Sequence, residues 1–143
     1  MRKRLLAGML VLGFALAGNV AVHANAAFNG TWGMGINQRL ILNNGNWTMQ
    51  IFSNNAWHDE ARGTFTTRGD TIALHTTHIY RGLMDRAAAR AAFVSLGQSA
   101  HDADRSVFDS FGGAIGSLWG TSALRLEATY GREPFRTGVL PRQ

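Results

Sequence analysis

Between Trp32 and Ile79 the chain reverses direction at short, regular intervals, and that rhythm restricts it to an antiparallel β-meander. Residues 39–43 run into Asn44-Gly45, a pair suited to the two positive φ angles of a type I′ hairpin turn. The next stretch alternates, with Trp47, Met49 and Ile51 on one face and Thr48 and Gln50 on the other. Asn54-Asn55 offers a second turn. A strand over about 60–67 then points Phe65 inward and Arg62, Thr64 and Thr66 outward. Arg68-Gly69-Asp70 joins it to residues 71–79, in which Ile72, Leu74 and Thr76 share a face. The expected class is therefore mainly β, a small antiparallel meander or barrel.

Beyond Arg81 the period changes. Leu83, Ala87, Ala91 and Val94 fall at helical spacing, and Gly97 stands where a C-cap glycine belongs. Ser99 opens a second helix, in which Asp104, Phe108 and Phe111 line up and Arg105 and Asp109 form an i,i+4 pair. Gly112-Gly113 ends this two-helix insertion, which covers about residues 82–112. The apolar, glycine-rich residues 114–120 fit neither period. Alternation returns over 121–130, with Leu124, Leu126 and Ala128 opposite Arg125, Glu127 and Thr129. Residues 131–134 turn the chain into a last strand, for a total of six or seven.

Residues 1–26 read as an export signal. Arg2, Lys3 and Arg4 precede an apolar run from Leu5 to Ala17, and Ala24-Asn25-Ala26 supplies a small-x-small pattern for cleavage between Ala26 and Ala27. Gly18 and Asn19 interrupt the run before the ~20 residues a membrane span needs, so no integral membrane segment is expected after cleavage. The expected location is periplasmic or secreted, with residues 27–143 as one domain. Removing the three signal cations lowers the formal charge of +5 to about +2, with no dense basic block, which disfavours nucleic acid as a partner. The chain has no cysteine, so neither disulfides nor a thiol nucleophile nor a cysteine–zinc site is available.

Phe28-Asn29-Gly30-Thr31-Trp32 combines a glycine that lets a first strand bend with an indole large enough to close a barrel floor and flat enough for a guanidinium to stack on. This F-x-G-x-W opening resembles the first strand of the calycin superfamily, the lipocalins and fatty-acid-binding proteins. The resemblance implies an arginine near the end of the last strand lying across Trp32, for which Arg136 and Arg142 are the candidates. Residues 63–74, Gly-Thr-Phe-Thr-Thr-Arg-Gly-Asp-Thr-Ile-Ala-Leu, are similar to a hairpin of small bacterial exported lipocalin-like proteins. The chain is short for eight strands of the nine or so residues that enclose a ligand, which points to a reduced barrel.

Chemistry-bearing patterns are sparse. There is no G-x-S-x-G elbow or P-loop, and Gly33-Met34-Gly35 fails the dinucleotide fingerprint. The adjacent carboxylates Asp59 and Glu60 diverge on a strand, which is wrong for acid–base work on one bond. His75 and His78 likewise point to opposite faces, and His58-Asp59-Glu60 does not converge, so no metal or other cofactor is expected. Asp102, Asp104 and Asp109 lack the glycine and terminal glutamate of a calcium loop. Arg68-Gly69-Asp70 reads as turn chemistry, and the Asn-x-Thr triplets at Asn29 and Asn46 as strand and turn residues.

Two functions fit. In the first, an exported non-catalytic protein holds a small apolar or amphipathic ligand in a barrel lined by Trp47, Met49, Ile51, Phe65, Ile72 and Leu74. Arg86 and Arg90, like charges one helical turn apart, would contact an anionic head group. In the second, the barrel is filled by its own side chains and the helices meet a partner in the cell envelope.

Overall fold

Alternation and turn chemistry produce eight antiparallel strands in the computed structural model, which describes residues 25–143. The charged start and apolar run of the expected export signal lie outside the described residues. A single 3-10 turn, Ala26–Phe28, leads into β1 (Gly30–Gly33), β2 (Gln38–Asn43), β3 (Asn46–Ser53), β4 (Ala56–Arg68) and β5 (Thr71–His78). Helices α1 (Arg86–Ser95) and α2 (Ala100–Ser110) follow, then β6 (Gly113–Trp119), β7 (Ala123–Tyr130) and β8 (Gly138–Pro141). Each strand pairs with the next in sequence. Trp32 and Arg142 form a bridge across the remaining gap, where the Gln143 N–H donates to the Thr31 carbonyl at 2.8 Å, so the sheet is a nearly closed barrel.

The turns follow the chemistry of their residues. Asn44 and Gly45 take φ of 46° and 90°, and Asn54 and Asn55 take 50° and 61°, the left-handed pairs of type I′ hairpins. Inward-facing residues, among them Leu40, Leu42, Trp47, Met49, Phe65, Ile72, Leu74, Leu124, Leu126 and Leu140, form one core. At the usual ~25 cal/mol per Å² of apolar area removed from water, such burial is the main stabilising term.

Eight strands form rather than six or seven because residues 113–119 are a strand whose glycines hide its period. A side chain at Gly116 would collide with the backbone carbonyl of Arg125 on β7, so the close approach of β6 and β7 requires glycine there.

The helices occur where the spacing predicts, with a different buried face. Ala89 and Phe93 of α1 pack against Ala103 and Val107 of α2, joined by Ile79 and Phe111 in a second, smaller core. Leu83 and Val94, on the predicted face, are exposed, as is Phe108. Phe93 wins because its ring packs edge-on against Tyr80 at 6.1 Å, whereas Ala89 and Ala103 let the helices approach closely. Asp85 and Ser99 cap the two N-termini through the N–H groups of Ala88 and Asp102. Gly97, at φ 103°, closes α1 with its own N–H on the Val94 carbonyl and that of Gln98 on the Phe93 carbonyl. Asp109 lies 4.0 Å from Arg132 rather than pairing with Arg105. No helix among the described residues is long and apolar enough to cross a membrane.

Candidate functional site at the barrel mouth

The two ends of the barrel differ. At the floor, the Trp32 indole is fully buried and donates to the Phe28 carbonyl at 3.0 Å. The Arg142 guanidinium lies 4.2 Å from the centre of its ring. The same guanidinium donates to the carbonyls of Ala27, Asn29 and Thr121 at 2.8, 2.9 and 2.8 Å. Gly30, at φ 141°, leaves the space it occupies: an added Cβ would stand 2.6 Å from Arg142 Nη1. Arg136, the other arginine considered for this role, belongs to the opposite end.

The interior is occupied by protein. Phe135 enters from the β7–β8 loop, is buried, and meets Trp47 edge-on with ring centres 4.8 Å apart. Trp47 in turn donates its indole N–H to the His75 carbonyl at 3.0 Å. Five of the six residues expected to line a ligand chamber, Trp47, Met49, Phe65, Ile72 and Leu74, are buried in this core; the sixth, Ile51, is half-buried at the rim.

Above Phe135 the strands part. Pairing shifts by one residue at Glu60 of β4, Thr77 of β5 and Thr129 of β7, all toward the mouth. Bulges add twist and re-aim side chains, and they concentrate at barrel rims. A cavity of about 600 Å³ opens there, walled by Gln38, Ile51, His58, Asp59 and Glu60 on one side and by Ile79, Tyr80, Arg81, Pro134 and Arg136 on the other. The Arg81 N–H donates to the Glu60 carbonyl at 3.0 Å, tying the second wall to the bulge on the first.

Tyr80 and Arg81 adopt φ of 52° and 66°, ahead of Gly82 at 73°. Left-handed backbone costs an ordinary residue roughly 1–2 kcal/mol, so two in succession are a local expense that the surrounding contacts must offset. Those contacts are the paired N–H and carbonyl groups of Ile79 and Met84 and the Arg62 Nε bond to the Gly82 carbonyl at 2.9 Å. The result is a hydrogen-bonded rim that carries Arg81 at the cavity. Nothing in the residue types of Tyr80-Arg81 signals this conformation, so the sequence alone does not place Arg81 at a cavity.

The lining is of mixed charge. Three acidic residues, Asp59, Glu60 and Glu133, line the cavity; Gln38 donates to Glu60 at 3.1 Å and Gln50 to Asp59 at 2.8 Å. Arg81 and Arg136 line the cavity, and their side chains make no hydrogen bond or ion pair among the described residues. The arginines expected to meet an anion stand elsewhere: Arg90 is paired with Asp104 at 2.6 Å, and Arg86 lies 5.1 Å from the Phe111 ring. Exposed pairs of this kind contribute about 0–1 kcal/mol.

On the outer face, His75, Gly113 and Tyr130 lie in one row across β5, β6 and β7. Glycine in the middle lets the Tyr130 ring lie over the backbone and bring its hydroxyl 3.2 Å from His75 Nδ1. Burial holds the His75 imidazole below its ordinary value of 6.5. The unfolded chain therefore takes up the proton first, so stability present above about pH 6.5 declines as the pH falls below it. Urea melts above and below that pH should show a smaller decline for His75→Gln than for the natural chain.

No protein-family model, curated protein or solved structure matches this chain.

Proposed function

We propose that the chain is an exported, non-catalytic binding protein of lipocalin-like type, and that it takes a small amphipathic molecule bearing an anionic group at the barrel mouth. The cavity of about 600 Å³ carries this reading. Its size is within the ~300–1,000 Å³ of small-molecule sites. Ile51, Ile79 and Pro134 supply apolar wall, and Arg81 and Arg136 supply two guanidinium groups without protein partners among the described residues. Glutamines orient Glu60 and Asp59 without neutralising them, so the preference for an anion rests on Arg81 and Arg136 meeting the ligand with no ion pair to a carboxylate of the lining.

Titrating a medium-chain fatty acid and the alcohol of the same chain length tests it. The acid should bind saturably and more tightly, with the difference shrinking at high salt because exposed charges are screened over about 10 Å at 0.1 M. Arg81→Gln and Arg136→Gln should each weaken the acid by about tenfold, or ~1.4 kcal/mol, while the alcohol is unaffected. Trp47→Phe should leave both unchanged, because Trp47 lies beneath Phe135. Absence of saturable binding to either compound would favour the second reading, an envelope interaction protein. That reading draws on the filled interior and on Leu83, Val94, Leu96 and Phe108, which the helical region exposes.

A further inference from the structure

Cleavage after Ala26 would discard residues that finish the barrel floor. Asn25 donates its backbone N–H to Thr67 Oγ1 at 2.8 Å and its side-chain Nδ2 to the Gly69 carbonyl at 2.9 Å, which fastens the chain to the β4–β5 turn. Its Oδ1 accepts the Ala27 N–H at 2.9 Å and its carbonyl accepts the Phe28 N–H at 3.0 Å. The Ala26 carbonyl accepts the Asn29 N–H at 3.0 Å. Together these bonds hold the 3-10 turn that delivers Phe28 to the Trp32 indole.

Charge argues the same way. Cutting after Ala26 creates an α-ammonium on Ala27, whose own carbonyl already accepts Arg142 Nη2 at 2.8 Å. Two cations would then share one residue at the floor, and like charges that close repel. An ammonium on Asn25 is two residues farther along the chain and retains N–H donors for Thr67 Oγ1. The sequence also allows that cut: Val22-His23-Ala24 places compact residues at the same two positions as Ala24-Asn25-Ala26.

We infer that the export signal is removed between Ala24 and Asn25, so that the mature chain begins at Asn25; this rests on the export reading of residues 1–26. The step is hydrolysis by an export peptidase. The Ala24 carbonyl carbon to Asn25 nitrogen bond breaks, water supplies the oxygen of the new Ala24 carboxylate, and the Asn25 nitrogen takes up both of the water's protons to become the ammonium.

Intact-mass measurement and N-terminal sequencing of the full chain, expressed in a bacterial host and recovered from the exported fraction, test the assignment. The expected product begins at Asn25. Ala24→Asp should block that cut, whereas Ala26→Asp should be processed at the same bond as the natural chain; residue 26 is exposed, so the aspartate is tolerated in the fold. A product beginning at Ala27 or at any other internal residue overturns the assignment and leaves export standing, as does an Ala26→Asp variant that fails to be processed while Ala24→Asp is cut normally. A product retaining Met1 overturns the export reading itself.

Discussion

Gly63→Ala is expected to lower the unfolding free energy by about 3 kcal/mol or more, enough to leave little folded protein in a domain of ordinary stability of ~5–15 kcal/mol once mild urea is added. An alanine Cβ at this position would fall inside the van der Waals surface of the His75 carbonyl oxygen and 2.7 Å from Trp47 Nε1. Backbone cannot yield cheaply on one side, and on the other the indole would be driven from its seat. Trp47 would then lose its bond to His75 and its contact with Phe135, the link between the β3–β5 wall and the β7–β8 loop. A Trp47→Leu background separates the two obstacles. Because the His75 carbonyl remains, Gly63→Ala should still destabilise that background, by less than in the natural chain. Equal melts for Gly63→Ala and the natural chain would mean that β4 and β5 are not packed as described.

Trp32→Ala should cost about 3–5 kcal/mol, the range for removing a buried aromatic side chain. The loss includes the indole bond to Phe28 and the surface on which Arg142 rests. Arg142→Ala should cost about 2–3 kcal/mol, since hydrogen bonds from charged donors are each worth roughly 1.5–3 before allowance for solvent at this half-exposed site. In a double-mutant cycle the coupling between the two should fall near 0.5–2 kcal/mol, the magnitude of a cation–π contact. Arg136→Ala, made in parallel, should change stability by no more than about 0.5 kcal/mol, as expected for an exposed side chain at the mouth. Denaturant melts of these four variants and the natural chain check each value. A Trp32→Ala protein that melts like the natural chain would refute the floor as drawn.

The parts of the fold that the sequence made legible are those set by local rules. Asn44-Gly45, Asn54-Asn55 and Gly97 can each adopt positive φ at little cost, and Ser99 carries its cap in its own side chain, so these boundaries need no tertiary knowledge. Alternation on β3, β5 and β7 likewise declares an inner face. What escaped depends on partners distant in sequence. Gly113 and Gly116 are needed because of Tyr130 and Arg125 on the next strand, and their presence erases the pattern that would mark β6. The buried face of α1 is chosen by Tyr80 and α2 rather than by its own spacing. The cavity was the least accessible feature. It exists because single extra residues on three strands and a left-handed Tyr80-Arg81 pair spread the mouth, and Phe135 from a loop fills what alternation alone would call a chamber.

The seam between β1 and β8 is narrow, and its bonds span the chain: Arg142 reaches the Asn29 carbonyl across 113 residues of sequence. The other strand pairs are neighbours in sequence, β5 and β6 across the two helices and the rest across shorter loops, while this closure must draw together the two ends of the barrel chain. Until it does, or if Arg142 and Gln143 are removed, the meander is an open sheet with two bare rows of backbone donors and acceptors, a template on which another copy can add. The guanidinium stacked on Trp32 thus has a role outside the folded monomer's energetics. It holds the two edge strands together at their bridge, and so withholds from another copy the edges on which a fibre would begin.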